Sequence, residues 1–187
     1  MTRRLLLALV SRLLAAASTL AVLVPGAQFV AAPLRRKRQQ KANRFRIAPL
    51  ADVPVGEPVS FVLRGRKVDA WKVYPERIIG QIWVIRHDAP EAAEQTKLTV
   101  FSATCPHLGC TVDHEPQKGR FVCPCHAGVF ELDGTPVPSE QLGYRNPVPR
   151  GLDPLPWKLV RDEQGELWLE VEFVRYETGR PERVPVA

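Results

Sequence analysis

The sequence predicts an all-β domain that follows a single N-terminal membrane-spanning helix. Positions 13–34 form an uncharged stretch of 22 residues, and a bilayer core of ~30 Å needs about 20 residues of helix. From position 47 onward, short runs rich in Val, Ile, Trp and Phe alternate with Gly, Pro and charged residues, as is typical of β-strands. The whole chain contains 18 prolines, and prolines disfavour long helices.

The N-terminal range 1–34 is predicted to be a membrane anchor. Arg3 and Arg4 precede its apolar stretch, and this pair resembles a twin-arginine export signal. The small residues at 30–32 would also suit cleavage of a signal peptide, but Pro33 directly after them would hinder it. We therefore expect a retained anchor.

The net charge of +6 belongs to the N-terminal part of the chain. Residues 1–46 hold ten Lys or Arg and no acid, whereas residues 47–187 hold 16 bases and 20 acids. The range 35–46 is thus predicted to be a basic tether between the anchor and a mildly acidic domain. Because that domain has no excess of positive charge, we expect no nucleic-acid partner.

Six runs are predicted as strands from their composition and alternation. They are Val59–Leu63, Val68–Tyr74, Gln81–His87, Leu98–Ser102, Trp157–Val160 and Leu167–Val174. The last two are predicted to pair as a hairpin across the turn-forming residues 162–165. The run Glu91–Lys97 indicates a helical turn.

Two short segments contain all four cysteines, and each also contains a histidine. The first reads Cys-Pro-His-Leu-Gly-Cys at 105–110, and the second reads Cys-Pro-Cys-His at 123–126. Two sulfur and two nitrogen ligands suit a [2Fe–2S] cluster with two Cys on one iron and two His on the other. The pairs that supply one thiolate and one imidazole each are Cys105 with His107, and Cys123 with His126.

The same four ligands could instead close a tetrahedral zinc site. Zinc would leave Cys110 and Cys125 without a role. Structural zinc sites also more often use Cys-x-x-Cys and His-x-x-x-His spacing. The iron–sulfur interpretation is therefore favoured.

The two segments resemble the cluster-binding boxes of Rieske iron–sulfur proteins from cytochrome bc-type quinol-oxidising complexes. That family has a Cys-Thr-His-Leu-Gly-Cys box, matched here except at Pro106, and a Cys-Pro-Cys-His-Gly-Ser box, matched in its first half. Residues 146–150, Asn-Pro-Val-Pro-Arg, resemble the family's proline loop, Gly-Pro-x-Pro-Arg. The resemblance by motif covers about 98–155.

This resemblance implies an architecture for the domain 47–187. An antiparallel β base domain is expected from the flanking strands, with a cluster-binding subdomain inserted at about 105–150. One [2Fe–2S] cluster per chain is expected. The implied ligands are Cys105 and Cys123 on the inner iron and His107 and His126 on the outer iron, beside a disulfide between Cys110 and Cys125.

The resemblance also implies the electron-transfer subunit of a bacterial quinol–cytochrome c oxidoreductase, which is not catalytic alone. His107 and His126 are the implied catalytic residues, because a free imidazole nitrogen can accept a hydrogen bond from quinol. The implied partners are quinol, cytochrome b-type and c-type subunits, and the membrane. The alternative is a Rieske small subunit of another exported oxidoreductase, such as an arsenite-oxidase-like enzyme, whereas the anchor disfavours a soluble ferredoxin.

The expected location is the bacterial cytoplasmic membrane, crossed once, with the domain on the periplasmic or outer face. The export-like signal and the implied disulfide favour this side, because disulfides persist in oxidising compartments. The charge distribution opposes it. Seven basic residues follow the apolar stretch within 35–46 and three precede it, and the positive-inside tendency places the richer side in the cytoplasm.

The second box departs from the family at two positions that bear on redox chemistry. High-potential members continue with Gly-Ser-x-Tyr, and the Ser and Tyr hydroxyls donate hydrogen bonds to sulfur. This chain has Gly128 and Phe130 at those positions. Hydrogen bonds to sulfur stabilise the more negative reduced state. We therefore expect a low-potential centre with a menaquinol-like donor.

Overall fold

The computed structural model describes residues 3–35, 43–69, 72–90 and 92–186. The chain forms two compact units, Met1–Gln39 and Gln40–Ala187. The first contains one helix, α1 (Arg3–Arg35). Within it, Arg3–Ala31 is long and apolar enough to cross a membrane. The helix agrees with the predicted anchor in length and composition.

The described part of the second unit is built mainly from nine antiparallel strands. In chain order they are β1 (Asn43–Pro49), β2 (Val59–Asp69), β3 (Lys72–Arg86), β4 (Leu98–Ser102), β5 (Asp113–Glu115), β6 (Arg120–Cys123), β7 (Gly128–Glu131), β8 (Trp157–Arg161) and β9 (Leu167–Phe173). They form three sheets of three strands, with the orders β1-β9-β8, β2-β3-β4 and β5-β6-β7. A single helical turn, α2 (Ser139–Leu142), precedes β8. The prediction of an all-β domain is confirmed.

Strand β1 begins at Asn43, inside the range 35–46 that the sequence assigned to the tether. Residues 36–42 of that range lie outside the described residues. Arg46, counted as a tether residue, is part of the strand, and its guanidinium lies 3.6 Å from the Asp162 carboxylate. The folded domain therefore begins before position 47.

The first two sheets enclose the core of a base domain. Alternate residues of β9 face inward, as the two-residue period of a strand requires, so Leu169, Val171 and Phe173 are buried. These side chains belong to one apolar cluster with Ile82 and Val84 of β3. Burial of this cluster joins the two sheets.

Strand β3 takes part in two cores, because both of its faces are buried. Ile82 and Val84 face the base core, whereas Trp83 and Ile85 belong to a second core shared with the third sheet. The Trp83 indole nitrogen also donates a hydrogen bond of 2.9 Å to the Val112 carbonyl. The base domain thus supports the segment that contains both cysteine motifs.

That segment leaves the base domain after β4 and returns before β8. Ser102 N donates to Asp153 O at 2.9 Å, and Leu155 N donates to Val100 O at 2.9 Å, so the two ends of the excursion lie side by side. The intervening chain carries β5, β6 and β7 and encloses the range 105–150 that the sequence assigned to an inserted subdomain.

The prediction of a single strand over Val68–Tyr74 is wrong, because the chain reverses inside it. Asp69 of β2 pairs with Lys72 of β3, and positions 70 and 71 lie outside the described residues. Pro75, which normally breaks a strand, lies within β3. A register shift leaves Pro75 out of the pairing with β2, so its missing N–H removes no ladder hydrogen bond.

Two other local predictions agree with the structure. Strands β8 and β9 pair along their length, which confirms the predicted hairpin. A 3-10 turn at Ala93–Gln95 falls within the run Glu91–Lys97, and position 91 of that run lies outside the described residues.

Candidate metal centre

The first ligand loop, Cys105–Cys110, follows β4 and is closed by its own backbone. Cys105 N donates to Cys110 O at 2.7 Å, and Gly109 N donates to Cys105 O at 2.9 Å. Gly109 has a φ of 84°, a left-handed conformation that glycine adopts without steric cost. The loop holds Cys105 in the core, at 1 % exposure, while Leu108 is 61 % exposed.

The second ligand loop, 123–127, is the turn between β6 and β7, and the pairing of Cys123 with Gly128 closes it. Ala127 has a φ of 54°, and it is the one non-glycine residue with a positive φ in the described ranges. The Tyr144 hydroxyl donates a hydrogen bond of 2.9 Å to the Ala127 carbonyl. The Rieske box has Gly here, so Ala127 bears a backbone strain of about 1 kcal/mol that Gly would avoid.

A disulfide joins the two ligand loops. Cys110 and Cys125 are bonded, with their Cα atoms 6.5 Å apart, which confirms the implied pairing. The Cys123 sulfur lies within 4.8 Å of both disulfide sulfurs. These three cysteines do not form a metal site of their own, because a disulfide sulfur is not a thiolate ligand.

The four residues that the sequence singled out as ligands lie at two depths. Cys105 and Cys123 are buried, at 1 % and 2 % exposure. His107 is half-buried and His126 is exposed, and their ring centroids are 4.9 Å apart with the planes inclined at 78°. Both imidazoles therefore lie nearer to solvent than the thiols.

The surroundings of Cys105 disfavour its thiolate form. Burial raises the pKa of the Cys105 thiol to about 12, the neighbouring Cys123 thiol adds to this, and hydrogen bonds from the backbone N–H groups of His107 and Leu108 act against it. A thiolate at this position requires a compensating positive charge, which metal coordination supplies. The donor set fits a metal group whose sulfur ligands are buried and whose nitrogen ligands lie near solvent.

The proline segment, 146–150, is held against β7 and Val137 by Asn146. The Asn146 amide nitrogen donates to the carbonyls of Val129 and Val137, at 2.8 and 2.9 Å, and its oxygen accepts a 3.3 Å hydrogen bond from Val129 N. The Rieske pattern has Gly at this position, so motif matching assigned Asn146 no role. The one available signal was a polar residue where the pattern expects none.

The two positions that lack hydroxyls are filled by packing. A Cβ on Gly128 would lie 2.6 Å from Val148 Cγ1, so a side chain of the proline segment occupies the space that a serine would need. Phe130 is fully buried in the second core. Position 128 therefore has no vacant space for the family's serine.

The fold and the donor set together define a class of protein: a small β-domain that holds a metal group between two cross-linked loops. The family follows from the sequence. A model of the Rieske [2Fe-2S] domain matches residues 43–149, more than half of the chain. The chain belongs to this family, and its domain is of the kind that carries a [2Fe–2S] cluster.

Two curated relatives are iron–sulfur subunits of menaquinol:cytochrome c reductases. The chain is 36% identical over 85 residues to the Bacillus subtilis protein, which is 44% of this chain and 46% of the relative. It is 31% identical over 120 residues to the Geobacillus thermodenitrificans protein, which is 63% of this chain and 65% of the relative. The matches thus span less than two thirds of these relatives' length.

Among solved structures, a cyanobacterial plasma-membrane Rieske protein from Synechocystis is similar. The match has 17% sequence identity and a TM-score of 0.39, and it covers 67% of this chain and 97% of that one. At this degree of overlap the match supports no further conclusion.

We predict that Cys110→Ser and Cys125→Ser each destabilise the metal centre without removing a ligand. The disulfide closes a loop with a sequence separation of 15, which corresponds to about 3 kcal/mol of stabilisation. Freshly assembled variants should retain the visible absorption of the wild type and lose it at a lower temperature. The double variant should behave like either single variant. Complete loss of the spectrum in fresh protein would mean that the ligand assignment is wrong.

Proposed function

We propose that this chain is the iron–sulfur subunit of a bc-type quinol–cytochrome c oxidoreductase whose quinol is a menaquinol. The observation that carries the proposal is the pair of imidazoles, His107 and His126, 4.9 Å apart beside two buried thiols. The chain is the electron-transfer component and is not catalytic alone. The relatives' names, both those of menaquinol:cytochrome c reductase subunits, support the choice of donor and acceptor.

In this proposal Cys105 and Cys123 hold the inner iron of the cluster, and His107 and His126 hold the outer iron. The cluster, when bound, supplies a one-electron redox centre whose potential is raised by imidazole ligation. The backbone N–H groups of His107 and Leu108 hydrogen-bond the Cys105 sulfur, and they stabilise negative charge there.

The two histidines supply the acid–base chemistry that quinol oxidation needs. An imidazole that binds a metal through one ring nitrogen keeps its other nitrogen for a second partner. Because both rings lie near solvent, that nitrogen can accept a hydrogen bond from a quinol hydroxyl. The proton of the hydroxyl passes to this nitrogen as the quinol loses an electron, so the histidine holds the proton at a defined atom.

We also propose that α1 crosses the bacterial cytoplasmic membrane once and that the domain lies on the periplasmic or outer face. The disulfide supports this side, because structural disulfides persist in oxidising compartments. A tethered domain has an effective concentration that its linker length sets. It can therefore serve a cytochrome b-type subunit and a c-type cytochrome in turn without leaving the complex.

We predict iron and acid-labile sulfide, two of each per chain, and no stoichiometric zinc in the native full-length protein. Two buried thiolates and two outer imidazoles match the ligands of a Rieske cluster. Elemental analysis and electron paramagnetic resonance of the reduced protein measure this. A chain that contains one zinc and no iron would contradict the proposal.

We predict that His107→Cys and His126→Cys each lower quinol:cytochrome c turnover of the isolated complex at least about 100-fold, the usual contribution of a positioned acid–base group. The change removes the nitrogen that takes the proton. His87→Cys is the matched control, because His87 is exposed and contacts the Thr99 hydroxyl instead. Turnover near the wild-type rate in either ligand variant would contradict the assigned role.

We predict a midpoint potential in the lower half of the ~−150 to +300 mV range of Rieske centres. The reason is the missing hydroxyls at Gly128 and Phe130. Two lost hydrogen bonds of ~1–1.5 kcal/mol each correspond to a shift on the order of 100 mV for a one-electron couple. Redox titration at neutral pH measures it, and a midpoint near the top of the range would refute the prediction.

Introducing a serine at position 128 requires space for its side chain. Since a Cβ on Gly128 meets Val148, we expect the double variant Gly128→Ser/Val148→Ala to raise the midpoint more than Val148→Ala alone. Val148→Ala alone is the control for loosened packing of the proline segment. No upward shift in the double variant relative to this control would show that a hydroxyl at position 128 does not set the potential.

A further inference from the structure

Arg150, the last residue of the proline segment, is buried with its counter-ion. Its Nε and Nη2 atoms donate to the two oxygens of Asp153 at 2.9 and 2.7 Å, a bidentate arrangement with high geometric specificity. Both side chains are 5% exposed. Because the pair is removed from water, the guanidinium N–H groups that do not bind the carboxylate need other hydrogen-bond acceptors.

Those donors reach the C-terminal segment, residues 177–186, which lies beyond the family model. Arg150 Nη1 donates to Arg180 O at 2.6 Å, and Nη2 donates to Glu177 O at 3.0 Å. The side chain of Arg183 returns to the other end of the pair, with its Nε 3.2 Å from the Asp153 carboxylate. The buried pair therefore fixes the C-terminal segment at three points.

The C-terminal segment in turn contacts the first ligand loop. Gly179 N donates a hydrogen bond of 2.8 Å to the Pro106 carbonyl, and Pro106 is almost fully buried. Pro106 lies between Cys105 and His107 and has no N–H of its own. Its carbonyl is thus the one backbone group at this position that can be tied to the rest of the domain.

We propose that Arg150 is a positioning residue of the metal site, which acts through the C-terminal segment to fix the Pro106 carbonyl. Pro106 is joined by one peptide group to Cys105 and by the next, which contains this carbonyl, to His107. Fixing the carbonyl therefore orients both residues. The inference rests on the proposed function only in so far as these two residues are ligands. The contacts from Arg150 to Pro106 themselves do not depend on it.

The test compares Arg150→Lys with wild type in the full-length holoprotein. Lysine keeps the charge but lacks the planar fork, so it cannot serve Asp153 and both carbonyls together. We expect amide exchange at His107, Leu108 and Gly109 to become about fivefold to tenfold faster, as for the loss of about one hydrogen bond. We also expect the g-values of the reduced cluster to shift.

The matched control is Arg120→Lys. Arg120 forms an ion pair with Glu115, 3.1 Å away, in the sheet that carries the second ligand loop, and this pair is half-buried where that of Arg150 is fully buried. This variant should leave exchange in the first loop and the g-values unchanged. If Arg150→Lys lowers only the melting temperature and leaves both readouts at wild-type values, Arg150 is a structural residue and the proposal is wrong.

A chain that ends after Tyr176 decides whether the effect passes through the C-terminal segment. It keeps the Arg150–Asp153 pair but lacks the donor to Pro106, so its first loop should exchange as fast as that of Arg150→Lys. Adding Arg150→Lys to the truncated chain should not change the amide exchange rates of the first loop any further. An additional acceleration would show that Arg150 acts on the loop by another path, which overturns the proposal. If Arg150→Lys fails to fold, Asp153→Asn takes its place in both comparisons: it weakens the hold on the Arg150 fork, and unchanged exchange in the first loop would overturn the proposal.

Exchange does not require the cluster, and this separates the two proposals. Wild-type protein that lacks iron would contradict the proposed function but leave the exchange results readable. Normal iron content with unchanged exchange in both variants would contradict only the role of Arg150.

Discussion

The difference in depth between two buried thiols and two imidazoles near solvent is the constraint on which the proposed metal site depends. Burial raises the pKa of Cys105 to about 12, so a thiolate there needs the compensating positive charge that a bound metal group would supply. The disulfide joins the two ligand loops to each other. The hydrogen bond from Trp83 to the Val112 carbonyl joins the chain just beyond the first loop to β3 of the base domain.

Redox behaviour and packing are linked in the proline segment. Val148 fills the space beside Gly128, and Asn146 fastens the segment to β7 through two hydrogen bonds and to Val137 through a third. A hydroxyl at position 128 would therefore compete with an apolar contact of the covering segment. A serine at position 128 thus calls for a smaller residue at position 148.

The candidate ligand residues could be selected from the sequence because metal chemistry restricts both their types and their spacing. Few sequence patterns place a Cys and a His two residues apart in one segment and three residues apart in another. The disulfide between the two remaining cysteines was predicted from the resemblance to the Rieske boxes. The strand boundary inside Val68–Tyr74 could not be predicted, because Pro75 lies in a register shift that exists only once β2 and β3 are paired. The roles of Asn146 and Arg150 were missed for a similar reason, since a motif does not show which backbone carbonyls a side chain reaches, and those of Arg150 lie 27 and 30 positions along the chain.

The sequence by itself determined the class of fold and the long apolar N-terminal helix, and it supplied the candidate metal ligands, because each depends on local composition or on the chemistry of a short motif. The tertiary structure decided the depth of each candidate ligand, the occupation of the space beside Gly128, and the link from Arg150 through the C-terminal segment to Pro106. These features arise from contacts between residues up to 73 positions apart, as between Pro106 and Gly179. Only the packing of distant segments brings such residues within hydrogen-bonding distance.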